Sequence, residues 1–315
     1  MRYIITLLAT ATPALAEVPK VVTDIPPVHA LVAQVMGDLG QPELLLAKGA
    51  DEHDFQLKPS QAGAVADADL VVWIGPELTP WLDGAMDSRP EGAAALALLD
   101  ADGTMRRAYG AAKGDDHGHE DHAEEGHSED GHAEDGHDGH DHGSEDPHAW
   151  LDPSNAQVWL GLIAAELGKV DPENAAAYAA NAATAGQEIA ALDAELAAML
   201  APVKDKPFVT FHDAYGYFVD HFGLTFAGSI ALGDASSPGA ARLAELRGEL
   251  EAGGVVCLFP EVQHDPGLVE QLAEGTDVKI GGALDPVGSS LEAGPGAYAA
   301  LLGGIARTIA DCAGG

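Results

Sequence analysis

Eight of the chain's 14 histidines are concentrated in one acidic stretch. Fourteen Asp and Glu residues lie between Asp115 and Asp146, with no Lys or Arg among them. Neutral imidazole is a good ligand for zinc, copper and nickel, and dense acid raises the local concentration of cations. The stretch therefore indicates a protein that handles a transition metal. Its histidines are His117, His119, His122, His127, His132, His137, His140 and His142.

This histidine-rich stretch contains no aliphatic residue larger than Ala, so it cannot bury a core. We predict that residues 114–146 are disordered when alone and act as an auxiliary, weak metal collector or sensor. A solvated acidic linker is the alternative, but a linker needs no imidazole. The tight site is then expected elsewhere in the chain.

Three of the other six histidines come from separate segments that a fold could bring together. His53 follows a predicted strand, His212 ends the strand PFVTFH, and His148 lies where the acidic stretch rejoins the fold. Ligands of open parallel sheets bind beyond the carboxyl ends of the strands. Three imidazoles can hold zinc at about 2.0–2.1 Å and leave a fourth position for water or a carboxylate. Three packed or surface histidines would be the alternative.

The remaining three histidines are not predicted to bind the metal directly. His29 and His221 fall on predicted helices, and we expect both to be exposed. Glu261 and His264 lie beyond a strand end, where we expect surface or indirect roles.

Strands and helices alternate along both halves of the chain. Runs such as DLVVWI at 69–74 and VVCLF at 255–259 are buried strands by composition. The alternation predicts an α/β fold with two lobes, each a roughly four-stranded, mostly parallel sheet flanked by helices. The predicted lobes are residues 17–170 and 203–315, with one long connecting helix at 171–202 and the metal site in the cleft between them.

The first residues predict export. A basic Arg2, an apolar run and the small residues around Ala16 are typical of a secretory signal at 1–16, which places the mature protein in the periplasm. No cysteine follows the cleavage site, so we expect no membrane anchor. An oxidising compartment favours a disulfide between Cys257 and Cys312. The formal charge of −36 argues against nucleic acid and anionic lipid as partners.

Five segments in order resemble the metal-binding receptors of bacterial ABC importers, specifically the zinc receptors: GADEHDFQLKPS, ADLVVWIGPEL, DPHAWLDP, TFHDAYGYF and ALDPVG. The resemblance implies two α/β lobes joined by a long rigid helix, with the metal between them. The positions that match the family's ligands are His53, His148 and His212. The related manganese receptors carry a carboxylate at the third position, so imidazole there favours Zn²⁺.

The resemblance leaves the fourth ligand open between Glu52, Asp285 and water. Glu52 directly precedes His53, and some zinc receptors of this kind have a Glu there. Asp285, in LDPVG, matches the position that supplies a carboxylate in the manganese receptors and in some zinc receptors.

These observations predict a monomeric, non-enzymatic protein that captures zinc in the periplasm and delivers it to an ABC-type membrane permease. Periplasmic zinc donor proteins are candidate further partners. The alternatives are an exported mononuclear zinc hydrolase with Glu52 as general base, a receptor for manganese or another divalent metal, and a passive metal buffer. The sequence has no HExxH and no GxSxG motif, which argues against the hydrolase.

Overall fold

The computed structural model describes residues 18–109, 145–231 and 238–315. The predicted signal sequence and the histidines from His117 to His142 lie outside these ranges. Glu145 and Asp146, which we assigned to the disordered stretch, are folded. Glu145 forms an antiparallel bridge with Ala108, and Asp146 is fully buried. The predicted loop end at residue 146 is therefore wrong, because tertiary partners hold these two acids.

The N-terminal lobe is a four-stranded parallel sheet in the order β2-β1-β3-β4. Its central strands β1 and β3 are buried along their whole length, as their Val-rich sequences predict. The strands are β1 (Val21–Thr23), β2 (Glu43–Leu44), β3 (Leu70–Trp73) and β4 (Ala94–Ala97), and the helices are α1 (Pro26–Met36), α2 (Pro59–Ala66), α3 (Asp83–Asp87) and α4 (Pro153–Val170).

The C-terminal lobe repeats this plan with a parallel sheet in the order β6-β5-β7-β8. The predicted fold class is therefore confirmed. Its strands are β5 (Phe208–Thr210), β6 (Phe226–Ser229), β7 (Cys257–Leu258) and β8 (Lys279–Ile280), and its helices are α6 (Gly216–Phe222), α7 (Ala240–Glu251), α8 (Gly267–Ala273) and α9 (Ala297–Gly314).

The long helix α5 (Ala175–Leu200) lies between the lobes and packs against α1, α4 and α9. Its 26 residues span about 39 Å. It begins later than the predicted residue 171, because Asp171 instead ends α4. The Asp171 carboxylate accepts hydrogen bonds from Asn174 (2.7 Å) and from the buried Tyr178 hydroxyl (2.8 Å). These contacts stabilise a turn before α5.

The two lobes share one continuous hydrophobic core. Hydrogen bonds also join them: Trp150 Nε1 donates to the Pro286 carbonyl, and the Tyr298 hydroxyl donates to the Trp150 carbonyl, both at 2.8 Å. The predicted disulfide is confirmed, since Cys257 in β7 is bonded to Cys312 in α9. None of the helices in the described part of the chain combines the length and apolar character that crossing a bilayer requires.

Candidate metal centre

Four side chains predicted from the sequence meet between the lobes: Glu52, His53, His148 and His212. Each offers one ligand atom, and these atoms all lie within 4.8 Å of one another. The Nε2 atoms of His148 and His212 are 3.4 Å apart, and Glu52 Oε1 lies 3.9 Å from His53 Nε2. His53 is partly exposed, whereas the other three side chains are almost completely buried. The cluster is therefore almost closed to solvent, and His53 is its most exposed member.

Glu52 and His53 lie in the loop between β2 and α2 of the N-terminal lobe. The Glu52 carbonyl accepts a hydrogen bond from Trp81 Nε1 at 2.8 Å. Its carboxylate accepts one from Gln263 Nε2 of the other lobe at 3.1 Å. The backbone N–H of His53 donates to Asp51 Oδ1 at 2.8 Å. Contacts from both lobes thus fix this loop at the cluster.

His148 is oriented by Asp146, two residues earlier. Asp146 Oδ1 lies 2.8 Å from His148 Nδ1 and also accepts the His148 backbone N–H at 3.0 Å. A carboxylate can only accept, so the proton is on Nδ1 and the Nε2 lone pair points to the cluster. Sequence reasoning missed this partner, because Asp146 is one of fourteen similar acids in the stretch.

His212 follows β5 and is oriented in the same way. Its Nδ1 lies 2.6 Å from Oε2 of Glu261, which follows the neighbouring parallel strand β7. The carboxyl ends of parallel strands meet at one edge of a sheet, which brings the two residues together. Glu261 thus contacts the ring nitrogen of His212 opposite to the one that faces His148. A carboxylate behind a ligating imidazole fixes its tautomer and raises its basicity.

Burial sets the electrostatics of the carboxyl groups. It raises the pKa of Glu52 to about 8, and the nearby His212 opposes part of that rise. It also raises the pKa of Asp146 to about 6, against the hydrogen bond from the His148 backbone and the charge of Arg107. A cation bound at the cluster would offset the cost of burying these negative charges.

Asp285, the other candidate for a fourth ligand, does not join the cluster. Its Oδ1 accepts the backbone N–H of Ser289 at 3.0 Å, and its Oδ2 accepts the backbone N–H and hydroxyl of Ser290 at 2.9 and 2.6 Å. The carboxylate thus caps a turn of its own loop.

The three other histidines in the described ranges, His29, His221 and His264, lie outside the four-residue cluster. The prediction that His29 and His221 are exposed is wrong. His29 is buried with Nε2 3.2 Å from the Pro42 carbonyl, and His221 lies between Asp152 and Asp193. His264 stacks on Phe211 with the ring centroids 4.2 Å apart, and its Nε2 is 3.6 Å from Glu261 Oε2.

Three imidazoles and one carboxylate are a ligand set suited to tetrahedral zinc. The fold has two α/β lobes, each with a parallel sheet, joined by a long helix, and the buried cluster lies between them. This combination defines a two-lobed solute-binding protein whose solute is a metal ion.

Comparison with known proteins identifies the family. Residues 21–312 match the family described as ZnuA, zinc-uptake complex component A, periplasmic. The high-affinity zinc uptake system protein ZnuA of Paracoccus denitrificans (strain Pd 1222) is 56% identical over 311 residues, covering 96% of this chain and 94% of the relative. That of Brucella abortus (strain 2308) is 43% identical over 304 residues, covering 93% and 91%. A crystal structure of a ZnuA protein superimposes with a TM-score of 0.74 at 22% identity, covering 94% of this chain and 100% of that one.

The chain therefore belongs to the ZnuA family of periplasmic zinc-uptake components. Membership confirms the predictions of zinc transport and of a periplasmic location, and it implies a permease partner in the uptake complex. The family takes up zinc and is not a family of enzymes, so the zinc-receptor prediction prevails over the hydrolase and manganese alternatives.

Proposed function

We propose that the protein captures one Zn²⁺ between its lobes and holds it with His53, His148, His212 and Glu52. The observation that supports this best is the 3.4 Å separation of the His148 and His212 Nε2 atoms. Two nitrogens bound to one tetrahedral zinc at about 2.0–2.1 Å would be about 3.3 Å apart. These two imidazoles are thus already spaced for the ion.

Glu52 is the fourth ligand in this proposal, in place of Asp285 or water. It is buried beside the imidazoles, whereas the Asp285 oxygens accept three hydrogen bonds from their own loop. A carboxylate also lowers the net positive charge of the bound ion. That charge reduction matters because the site is almost closed to solvent.

The proposal also covers the oligomeric state of the protein, the source of its zinc and the acceptor of that zinc. The protein works as a monomer, receives zinc from the periplasmic solution or from donor proteins, and passes it to a membrane permease. The histidine-rich stretch, His117 to His142, holds further zinc weakly and lies outside the described residues. If the protein serves import, deleting its gene should impair growth only under zinc starvation. A passive buffer would not be needed for import, so this growth defect would argue against storage.

Native mass spectrometry with metal analysis tests the assigned site. After dialysis against a chelator of moderate strength, the wild type should retain one zinc ion and His212→Ala should retain none. His29→Gln is the matched control: it removes an imidazole that contacts the Pro42 carbonyl and is not in the cluster, and it should retain the ion. Retention of one tightly bound zinc by His212→Ala would refute the assignment.

A further inference from the structure

Arg107 is a buried cation close to the zinc site that the ligand set does not include. Its side chain is 8% exposed, and its Nη1 donates to Asp146 Oδ2 at 2.7 Å. The other oxygen, Asp146 Oδ1, accepts both the backbone and the ring N–H of His148. One buried carboxylate thus connects the guanidinium to a proposed zinc ligand.

Helix α6 of the opposite lobe encloses this pair. The Tyr217 hydroxyl accepts the Arg107 backbone N–H and donates to the Asp146 carbonyl, both at 3.0 Å. The Arg107 guanidinium carbon lies 5.6 Å from the Tyr217 ring centroid, and its Nε is 3.2 Å from Asp220 Oδ2. Arg107 therefore lies between Asp146 of its own lobe and helix α6 of the other lobe.

Gly216, the first residue of α6, makes room for the guanidinium. A Cβ at this position would lie 1.3 Å from Arg107 Nη1. The backbone of α6 can approach the arginine so closely only because residue 216 has no side chain. This contact provides a way to displace Arg107 without mutating it.

A buried carboxylate that loses its cationic partner becomes an uncompensated charge in a medium of low dielectric. Without Arg107, we expect the Asp146 carboxylate to turn toward other donors or to admit water. Either response loosens the acceptor that holds the His148 ring. Partners behind a metal ligand typically contribute about 10–100-fold to metal affinity.

We propose that Arg107 is a positioning residue for zinc binding, which holds Asp146 so that Asp146 aims His148 Nε2 at the ion. This inference rests on the proposed function. Because α6 completes the Arg107 environment, the orientation of His148 also depends on contact between the lobes.

Zinc affinity of Arg107→Met, measured by competition with a chelator, tests the proposal. Methionine keeps an unbranched apolar stem and carries no charge, and we expect affinity to fall by about 10–100-fold. Arg106→Met is the matched control. The Arg106 side chain is 45% exposed and pairs with Asp100 and Glu145, so its replacement should leave affinity within about twofold. Unchanged affinity in Arg107→Met would overturn the proposal, whereas a wild type that binds no zinc would refute the proposed function itself.

A double-mutant cycle separates positioning from a general structural effect. If Arg107 acts through Asp146, Arg107→Met should change affinity less than twofold when added to Asp146→Asn. An equal loss in both backgrounds would overturn the proposal. Gly216→Ala gives an independent test should Arg107→Met fail to fold. It should displace the guanidinium and reproduce the affinity loss, and wild-type affinity in a folded Gly216→Ala would also contradict the proposal.

Discussion

Buried carboxylates fix the tautomer and the ring orientation of two of the proposed ligands, His148 and His212. Asp146 and Glu261 both face an Nδ1 atom, at 2.8 and 2.6 Å, and both are buried. They leave the Nε2 atoms of His148 and His212 directed at the same point. The imidazoles are therefore preorganised, and little side-chain entropy is lost when an ion binds.

Replacing the two candidate carboxylates separately should identify the fourth ligand. We expect Glu52→Gln to lower zinc affinity by at least about tenfold, since an amide oxygen is neutral and a poorer ligand. Asp285→Asn should bind zinc with nearly wild-type affinity, because Asp285 caps its own loop. Chelator-competition titrations measure both, with thermal unfolding of the metal-free variants as a check on folding. A larger loss in Asp285→Asn than in Glu52→Gln would reverse the assignment.

The sequence alone predicted the residues of the cluster but not the buried residues that orient them. His53 and His212 follow strands, and strand ends are visible in a hydrophobic pattern. The roles of Asp146 and Arg107 depend on a contact across 39 positions and on helix α6. Nothing in the local pattern distinguishes Asp146 from the other acids before it.

At the scale of elements, ion pairs of His221 connect helices α4, α5 and α6. It lies on α6, with Nδ1 2.9 Å from Asp152 at the start of α4 and Nε2 2.8 Å from Asp193 on α5. Hydrogen bonding to Asp152, partly opposed by burial and reinforced by Asp193, raises the pKa of His221 to about 9. The connection between the lobes and the long helix is thus strongest when this imidazole is charged.

This arrangement predicts a pH-dependent free energy of unfolding. The folded pKa lies above the ordinary value of about 6.5, so the stabilisation is complete below pH 6.5 and is lost as the pH rises to about 9. We expect it to be roughly 1 kcal/mol, since solvent screens a partly exposed pair. Urea unfolding of the metal-free wild type and His221→Gln should differ more at pH 6 than at pH 9.5. A difference independent of pH would show that His221 contributes by packing instead.

The elements themselves were largely predictable, because buried β-branched runs and helical periodicity are local signals. The start of α5 was not. Asp171, Pro172 and Glu173 have the composition of a helix start, yet Asp171 binds Asn174 and Tyr178 and forms a turn. A capping pattern predicts that a helix boundary is near, but the tertiary partner of the acid decides which helix it belongs to.

At the scale of the whole molecule, the lobes share a hydrophobic core, and Trp150 forms hydrogen bonds with Pro286 and Tyr298 of the other lobe. Both features argue against a wide hinge motion. Opening the lobes widely would expose part of that core and break these bonds. We expect the radius of gyration from small-angle X-ray scattering to agree within error between the zinc-free and zinc-loaded forms. To exclude changes in the histidine-rich stretch, the same comparison should be made after its deletion. A clear compaction on zinc binding would contradict this picture.

Deleting residues 115–143 should separate the tight site from the weak ones. The nearest described residues on the two sides of the deletion contact each other directly: Ala108 bridges Glu145, and the Asp146 backbone N–H donates to the Arg107 carbonyl at 3.0 Å. His148 should therefore keep its position, and the variant should retain one tightly bound zinc. The weaker ions should disappear, because the deletion removes all eight histidines of the stretch. Zinc titration followed by native mass spectrometry measures both classes, and loss of the tight ion would show that the stretch supplies a ligand to it.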